Sequence, residues 1–187
     1  MSLRDATTHY ALFRRLAHRV GVILAAEATR DLETRPVKVE TPLEVTTGHQ
    51  LATDIVVVAV LRAGLSLVES VLELLPHARV GHVGLKRDEA TAVASRYYSR
   101  FPPGLDRSYV LLIDPMLATG GSSVSALDTL REAGARDIRI VCIVAAPEGL
   151  ATVAQHHPDV SIFTPAVDER LNEHKYIVPG LGDFGDR

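Results

Sequence analysis

Apolar residues arrive along this chain in short runs. "DIVVVAVLRAG" (54–64), "ARVGHVGLKR" (78–87), "YVLLIDP" (109–115), "DIRIVCIVAAPEG" (137–149) and "VSIFTPAV" (160–167) are each of strand length and rich in valine and isoleucine. Segments with helical spacing separate them. One is "AGLSLVESVLELLP", which stops at Pro76; the others cover residues 122–133 and 147–156. Runs with so little polar alternation predict strands buried on both faces, and the helices between them predict crossovers. The expected fold class is α/β, an open parallel sheet flanked by helices. Ahead of it, Thr7 or Thr8 is placed to cap a helix with Leu12, Leu16, Val20, Ile23 and Leu24 on one face. Arg14, Arg15, His18 and Arg19 would then form its solvated face, and a short strand over 37–40 would follow.

A long connection, "RDEATAVASRYYSRFPPGLDRS" (87–108), joins the second and third runs. Connections of that length in a compact domain are often lids, so a mobile flap or hairpin is expected over about 87–103. The tail, about 170–187, is glycine-rich and lies beyond the last strand. The 187 residues fit a single domain, 1–187. Hydrophobic residues make up 47%, and 20 Lys and Arg against 23 Asp and Glu give a formal charge of −3. That balance argues against binding nucleic acid through bulk positive charge. Cys142, the single cysteine, sits inside an apolar run and reads as a small buried hydrophobe. No signal-peptide core and no bilayer-length run stands out, so a cytoplasmic protein with no membrane partner is expected.

Ligands of open parallel sheets bind outside the carboxyl ends of the strands. Arg62, Lys86, Arg87, the segment from Asp114 to Ser122, and Pro147 to Gly149 all fall there. The loop "DPMLATGGS" has little side chain and opens a helix. Its glycines let backbone N–H groups approach a ligand, and the helix N-terminus favours an anion such as phosphate. Asp114 at the strand end is placed to accept bonds from sugar hydroxyls. The competing reading is an ordinary turn through Pro115 with Ser122 as helix cap. No Walker lysine and no G-x-G-x-x-G follows a strand, so neither an ATPase nor a dinucleotide fold is favoured.

The set "EATRDLET", "VAVLRAG", "GLKRDE", "VLLIDPMLATGGS", "VAAPEG", "LNEH" and "YIVPGLGDFGDR" resembles the uracil phosphoribosyltransferases, of the type I phosphoribosyltransferase family. The resemblance keeps the family's order and covers nearly the whole chain. It implies transfer of phosphoribosyl from phosphoribosyl diphosphate to uracil. It assigns the ribose and its 5-phosphate to Asp114, Pro115, Met116, Leu117, Ala118, Thr119, Gly120, Gly121 and Ser122. Arg62 and Arg87 would hold the pyrophosphate. Ile177, Gly182, Asp183 and Phe184 would take uracil, with Asp183 also near the phosphoribosyl diphosphate and its Mg2+. The metal would be held mainly by the substrate's diphosphate. A homodimer or larger homo-oligomer, and GTP as an effector, are further implications. The chain departs from the family at Ser66, where glycine is usual, and in a flap without the leucine-x-proline stretch. No residue reads as a protein nucleophile. The alternatives are a pyrimidine-sensing regulator of the same fold that binds RNA, a binding module without catalysis, and a phosphatase using Asp114. The last normally needs a second aspartate where Met116 stands.

Overall fold

The valine-rich runs become the central strands. The structure is a computed structural model that describes residues 2–87 and 94–186, without the side chains of residues 87, 94 and 95. In chain order it runs α1 (Tyr10–Ala28), β1 (Thr34–Glu40), β2 (Val45–Leu51), β3 (Asp54–Leu61), α2 (Leu65–Leu74), β4 (Arg79–Arg87), β5 (Ala94–Arg100), β6 (Ser108–Ile113), β7 (Met116–Leu117) and α3 (Gly121–Glu132). It continues through β8 (Asp137–Val141), β9 (Val144–Ala145), α4 (Pro147–His156), β10 (Ser161–Phe163), β11 (Arg170–Leu171) and β12 (Ile177–Val178). The main sheet has the order β10-β8-β6-β3-β4-β5. Its neighbours are parallel except at the β4–β5 edge. From β3 the chain moves outward through β4 and β5, then returns to β6 on the other side of β3. Strand order therefore reverses between β3 and β6, which makes their carboxyl ends the crevice of the fold.

Both faces of the sheet are covered. Ile55, Val57 and Ala59 pack with Phe13, Leu24 and Leu67 of α1 and α2, while Val56, Val58 and Val60 pack with Leu127 and Leu130 of α3 and Val153 of α4. The period of two survives inside an unbroken apolar run because both faces need apolar groups. Each fully buried Val or Leu contributes about 1.5–3 kcal/mol relative to exposure.

Three expectations need correction. The side chain of His9, and neither Thr7 nor Thr8, caps α1 by accepting the Ala11 N–H at 3.2 Å. The buried face of α1 is Phe13, Ala17, Gly21, Leu24, Ala25 and Ala28, whereas Leu12 and Ile23 are exposed. Small residues let α1 come close to α2; a Cβ on Gly21 would stand 2.5 Å from Ser70 Oγ. His18 is thereby drawn from the expected solvated face into a bridge, 2.7 Å from Glu73 Oε2 and 3.2 Å from Ser70 Oγ. Finally, the single short strand expected at 37–40 is one arm of a seven-pair antiparallel hairpin, β1–β2. Only Val37, Gly48 and Leu51 in it are even partly buried, so burial imposes no apolar pattern.

Within the segment expected to be a flap, β5 pairs antiparallel with β4, Ala94 lying opposite Arg87. Residues 88–93 lie outside the described residues, and so does that part of the expected mobility.

Gly64 closes the crevice. A methyl there would meet Ile113 O at 2.5 Å, Val60 O at 2.6 Å and Val60 N at 2.7 Å, all backbone of two central strands. We expect Gly64→Ala to destabilise by about 1–3 kcal/mol or more through overpacking. Urea unfolding measures it, and a midpoint unchanged from the parent protein would show that the two turns can move apart freely.

Candidate active site

The loop between β6 and α3 is held by backbone. The Asp114 N–H donates to Val141 O, the N–H groups of Ile143 and Val144 donate to Pro115 O, and the Ala146 N–H donates to Leu117 O. The fourth apolar run does not stay in the main sheet. After β8 it leaves to pair β9 with β7, two residues each, which carries the loop on a small parallel ladder of its own. Glycine is required at two contacts here. Gly120 has φ +84, and a Cβ on it would stand 2.9 Å from Gly149 O and from Thr152 Cβ. A Cβ on Gly149 would stand 2.5 Å from Ala118 O. The glycine of "APEG" thus lets α4 seat directly under the loop.

α3 starts at Gly121 with Gly120 as its cap and no side-chain cap bond. The competing expectation, capping by Ser122, is not what forms. Thr119, Gly120, Ser122 and Ser123, at the start of α3, line a cleft of about 50 Å³ that Asp114, Met116, Leu117 and Ala118 complete. The first turn of α3 carries no acidic residue, so its positive end is not offset from within the helix. Asp114 is half-buried at the mouth. Cys142, behind the ladder, is fully buried, and burial pushes its thiol up to about 12. It is the inert hydrophobe the sequence indicated.

Across the crevice, Arg62 follows β3 with its side chain 80% exposed and 3.8 Å from Asp186. An exposed pair of that length holds the guanidinium only weakly. Lys86 is exposed near the end of β4, and Arg87 closes that strand. Arg62, Ala63, Ser66, Phe184 and Gly185 are among the residues lining a cavity of about 500 Å³, so the tail reaches the β3 end of the crevice.

The other tail residues divide. The side chains of Ile177 and Phe184 are buried, Phe184 lying 5.0 Å from the Phe13 ring at 58°. Their backbones are what they can offer a ligand. Gly182 and Asp183 are exposed. Gly182 has φ +74 and nothing within 4 Å of where its Cβ would be, so open space lies beside it. Asp183 Oδ1 accepts the Gly185 N–H at 2.8 Å.

Sequence reading gave no role to Arg4 or Asp168. Arg4 makes two bonds to Asp168, at 2.7 and 2.6 Å, and donates to Gly180 O at 3.1 Å. Asp168 also accepts the Gly180 N–H at 2.8 Å. The one available signal was a carboxylate just past an apolar run, as at Asp114. Arg4 gave none, because its partner lies 164 residues away.

The same arrangement of sheet and helices occurs in the phosphoribosyltransferases. A hypoxanthine phosphoribosyltransferase from Staphylococcus aureus superposes with a TM-score of 0.57 at 13% identity, covering 84% of this chain and 76% of that one. That likeness is one of fold. A solved protein from Aquifex aeolicus is far more similar, with a TM-score of 0.93 at 39% identity over 98% of this chain and 88% of that one. The family model for uracil phosphoribosyltransferase matches residues 1–187. The uracil phosphoribosyltransferases of Dictyoglomus thermophilum and Thermus thermophilus are 48% and 50% identical, each over 99% of this chain and over 90% and 89% of the relative. This chain belongs to the uracil phosphoribosyltransferase family.

The Arg4 guanidinium, and next the Gly180 N–H, hold the Asp168 carboxyl below its ordinary value of 3.8 despite burial. Its contribution to stability is therefore complete above the unfolded carboxylate range and is lost as pH falls through the lower folded value. Stability measured by urea unfolding should decline below about pH 4. Asp168→Asn, which has no such proton to take up, should show a shallower acid limb. Identical limbs would uncouple Asp168 from acid unfolding.

Proposed function

We propose that this protein transfers the phosphoribosyl group of phosphoribosyl diphosphate to uracil, giving UMP and diphosphate. The observation that carries this reading is the glycine-capped start of α3 beside Asp114, at the β3–β6 crevice of a chain in this family. In the reaction the C1–O bond to diphosphate breaks, uracil N1 bonds to C1, and the N1 proton leaves. Positive charge grows on the sugar and negative charge on the leaving group. The residues then have distinct work. Backbone N–H groups of 119–122 fix the 5-phosphate. Asp114 accepts from the ribose hydroxyls. Arg62 and Arg87 are the residues we assign to the diphosphate, whose paired oxygens match a guanidinium fork. No protein nucleophile takes part; the loop and the tail act by placing the two reactants.

Among the described residues no group of three or more metal-ligating side chains exists. Mg2+ generally binds through substrate phosphates and one or two carboxylates. Exposed Asp183 is the carboxylate we assign near it, and the bound ion would offset charge on the diphosphate. We assign one domain to 1–187, a flap to 87–103 and a base-reading tail to 170–187. Association with a second copy, GTP as an effector and a cytoplasmic location belong to the same reading; among the described residues no helix is long and apolar enough to cross a membrane. No observation favours the RNA-binding regulator.

Ultraviolet monitoring of UMP formation from uracil, phosphoribosyl diphosphate and Mg2+ tests the reaction. Uracil presents an N–H between two carbonyl oxygens. Cytosine replaces one oxygen with an amino group and loses the N3 proton, which leaves buried backbone groups unpaired. Uracil should be preferred by a factor of about 10⁴ or more, and 5-fluorouracil, whose bonding edge is the same, should be accepted. Comparable rates with cytosine would remove the tail from base reading.

Arg62→Ala should lower kcat/KM for phosphoribosyl diphosphate by about 10- to 100-fold, as loss of one charge-assisted contact costs about 1.5–3 kcal/mol. Steady-state kinetics unchanged from the parent enzyme would remove Arg62 from the site.

A further inference from the structure

Between Pro179 and Asp186 the chain has no regular structure. Two anchors bracket its exposed part. On one side Phe184 is seated on Phe13. On the other side Gly180 has both backbone groups taken, its N–H by Asp168 and its carbonyl by Arg4. Gly182 and Asp183 span the interval. Gly180 holds φ +64 and Gly182 holds φ +74, conformations that glycine leaves readily, so their placement depends on the anchors. Asp168 is itself fixed: its side chain is 5% exposed, and its N–H donates to Ala145 O at 2.8 Å. Ala145 pairs with Leu117 in the ladder that carries the phosphate loop. One carboxylate therefore connects the N-terminal arm, the phosphate-loop ladder and the tail. A cavity of about 640 Å³ adjoins this junction, lined by Arg4, Thr8, Tyr10, Pro179, Gly180 and Gly182. It gives the tail somewhere to go once the junction is cut.

We infer that Arg4 and Asp168 are positioning residues that set where Gly182 and Asp183 stand, and hence how tightly and how selectively uracil is held, without touching the base. This rests on the uracil-transfer reading above. Neither Arg4 nor Asp168 lines the phosphate cleft; phosphoribosyl diphosphate is reached only through Asp183 and the metal assigned to it, so its binding should suffer less than that of uracil.

The test uses Arg4→Ala and Arg4→Lys in the full chain, each first shown by circular dichroism to be folded at the assay temperature. Arg4→Ala should raise KM for uracil about tenfold or more, because small misplacements at a reacting group are costly. KM for phosphoribosyl diphosphate should rise clearly less than KM for uracil, and the preference for uracil over cytosine should shrink. Arg4→Lys keeps the charge but loses the fork, and should recover only part of the loss. Hydrogen exchange of a peptide covering residues 177–186 should quicken in Arg4→Ala, with exchange across β3 and β6 unchanged. Equal rises in both KM values, or an unchanged KM for uracil, overturn the inference. Unchanged exchange at 177–186 overturns it too, whatever the substrate proves to be. If the parent enzyme makes no UMP, the proposed reaction fails instead, and the exchange result alone decides the clamp.

Discussion

Gly64 brings the turn after β3 against the last carbonyl of β6, where an added methyl would stand 2.5 Å from Ile113 O. That contact is between backbones, in the middle of a sheet buried on both faces. It makes the carboxyl ends of β3 and β6 neighbours with almost no side chain between them. Arg62 can leave one strand and Asp114 the other and still share a crevice. The chain leaves β3 for α2 on one face of the sheet and β6 for α3 on the other, so the gap between the two turns is available to a ligand.

The same economy governs the loop beyond Asp114. Its shape is set by N–H groups of the β8–β9 segment donating to Pro115 O and Leu117 O, and by two glycines that let α4 press up from beneath. Side chains are little used to hold it. Thr119, Ser122 and Ser123 line the cleft beside it. Donors fixed by a surrounding backbone framework need little reorganisation when charge develops near them, and electrostatic catalysis depends on that property.

The main strands, α2, α3 and α4 were legible because burial on both faces writes valine-rich runs, and the helices between them write a 3.6 period. The loop from Asp114 to Ser122 was legible as a turn into a helix for a local reason: glycine, a strand-end carboxylate and a helix start lie within nine residues of one another. The β1–β2 hairpin was mostly hidden, since its side chains face solvent on both sides and nothing selects apolar residues. The contact face of α1 was misread because close helix approach uses Ala17 and Gly21, while reading by size favours Leu12 and Ile23. His18 looked solvated for the same reason; its partners, Ser70 and Glu73, lie on another helix. Arg4 and Asp168 were hidden by distance along the chain.

The buried rings and aliphatics of the tail carry a consequence for the proposed reaction. Phe184 and Ile177 commit their side chains to the core, so a base lying on this segment meets peptide groups rather than side chains. Peptide groups supply donors and acceptors in a fixed order that no rotamer change can revise. A tail built this way can discriminate between planar rings by hydrogen-bond pattern, provided its backbone is held still. The side-chain anchors therefore have to lie off the base: Phe184 under α1, and Asp168 against Gly180. Selectivity in such a site is a property of the supports as much as of the groups that touch the ligand.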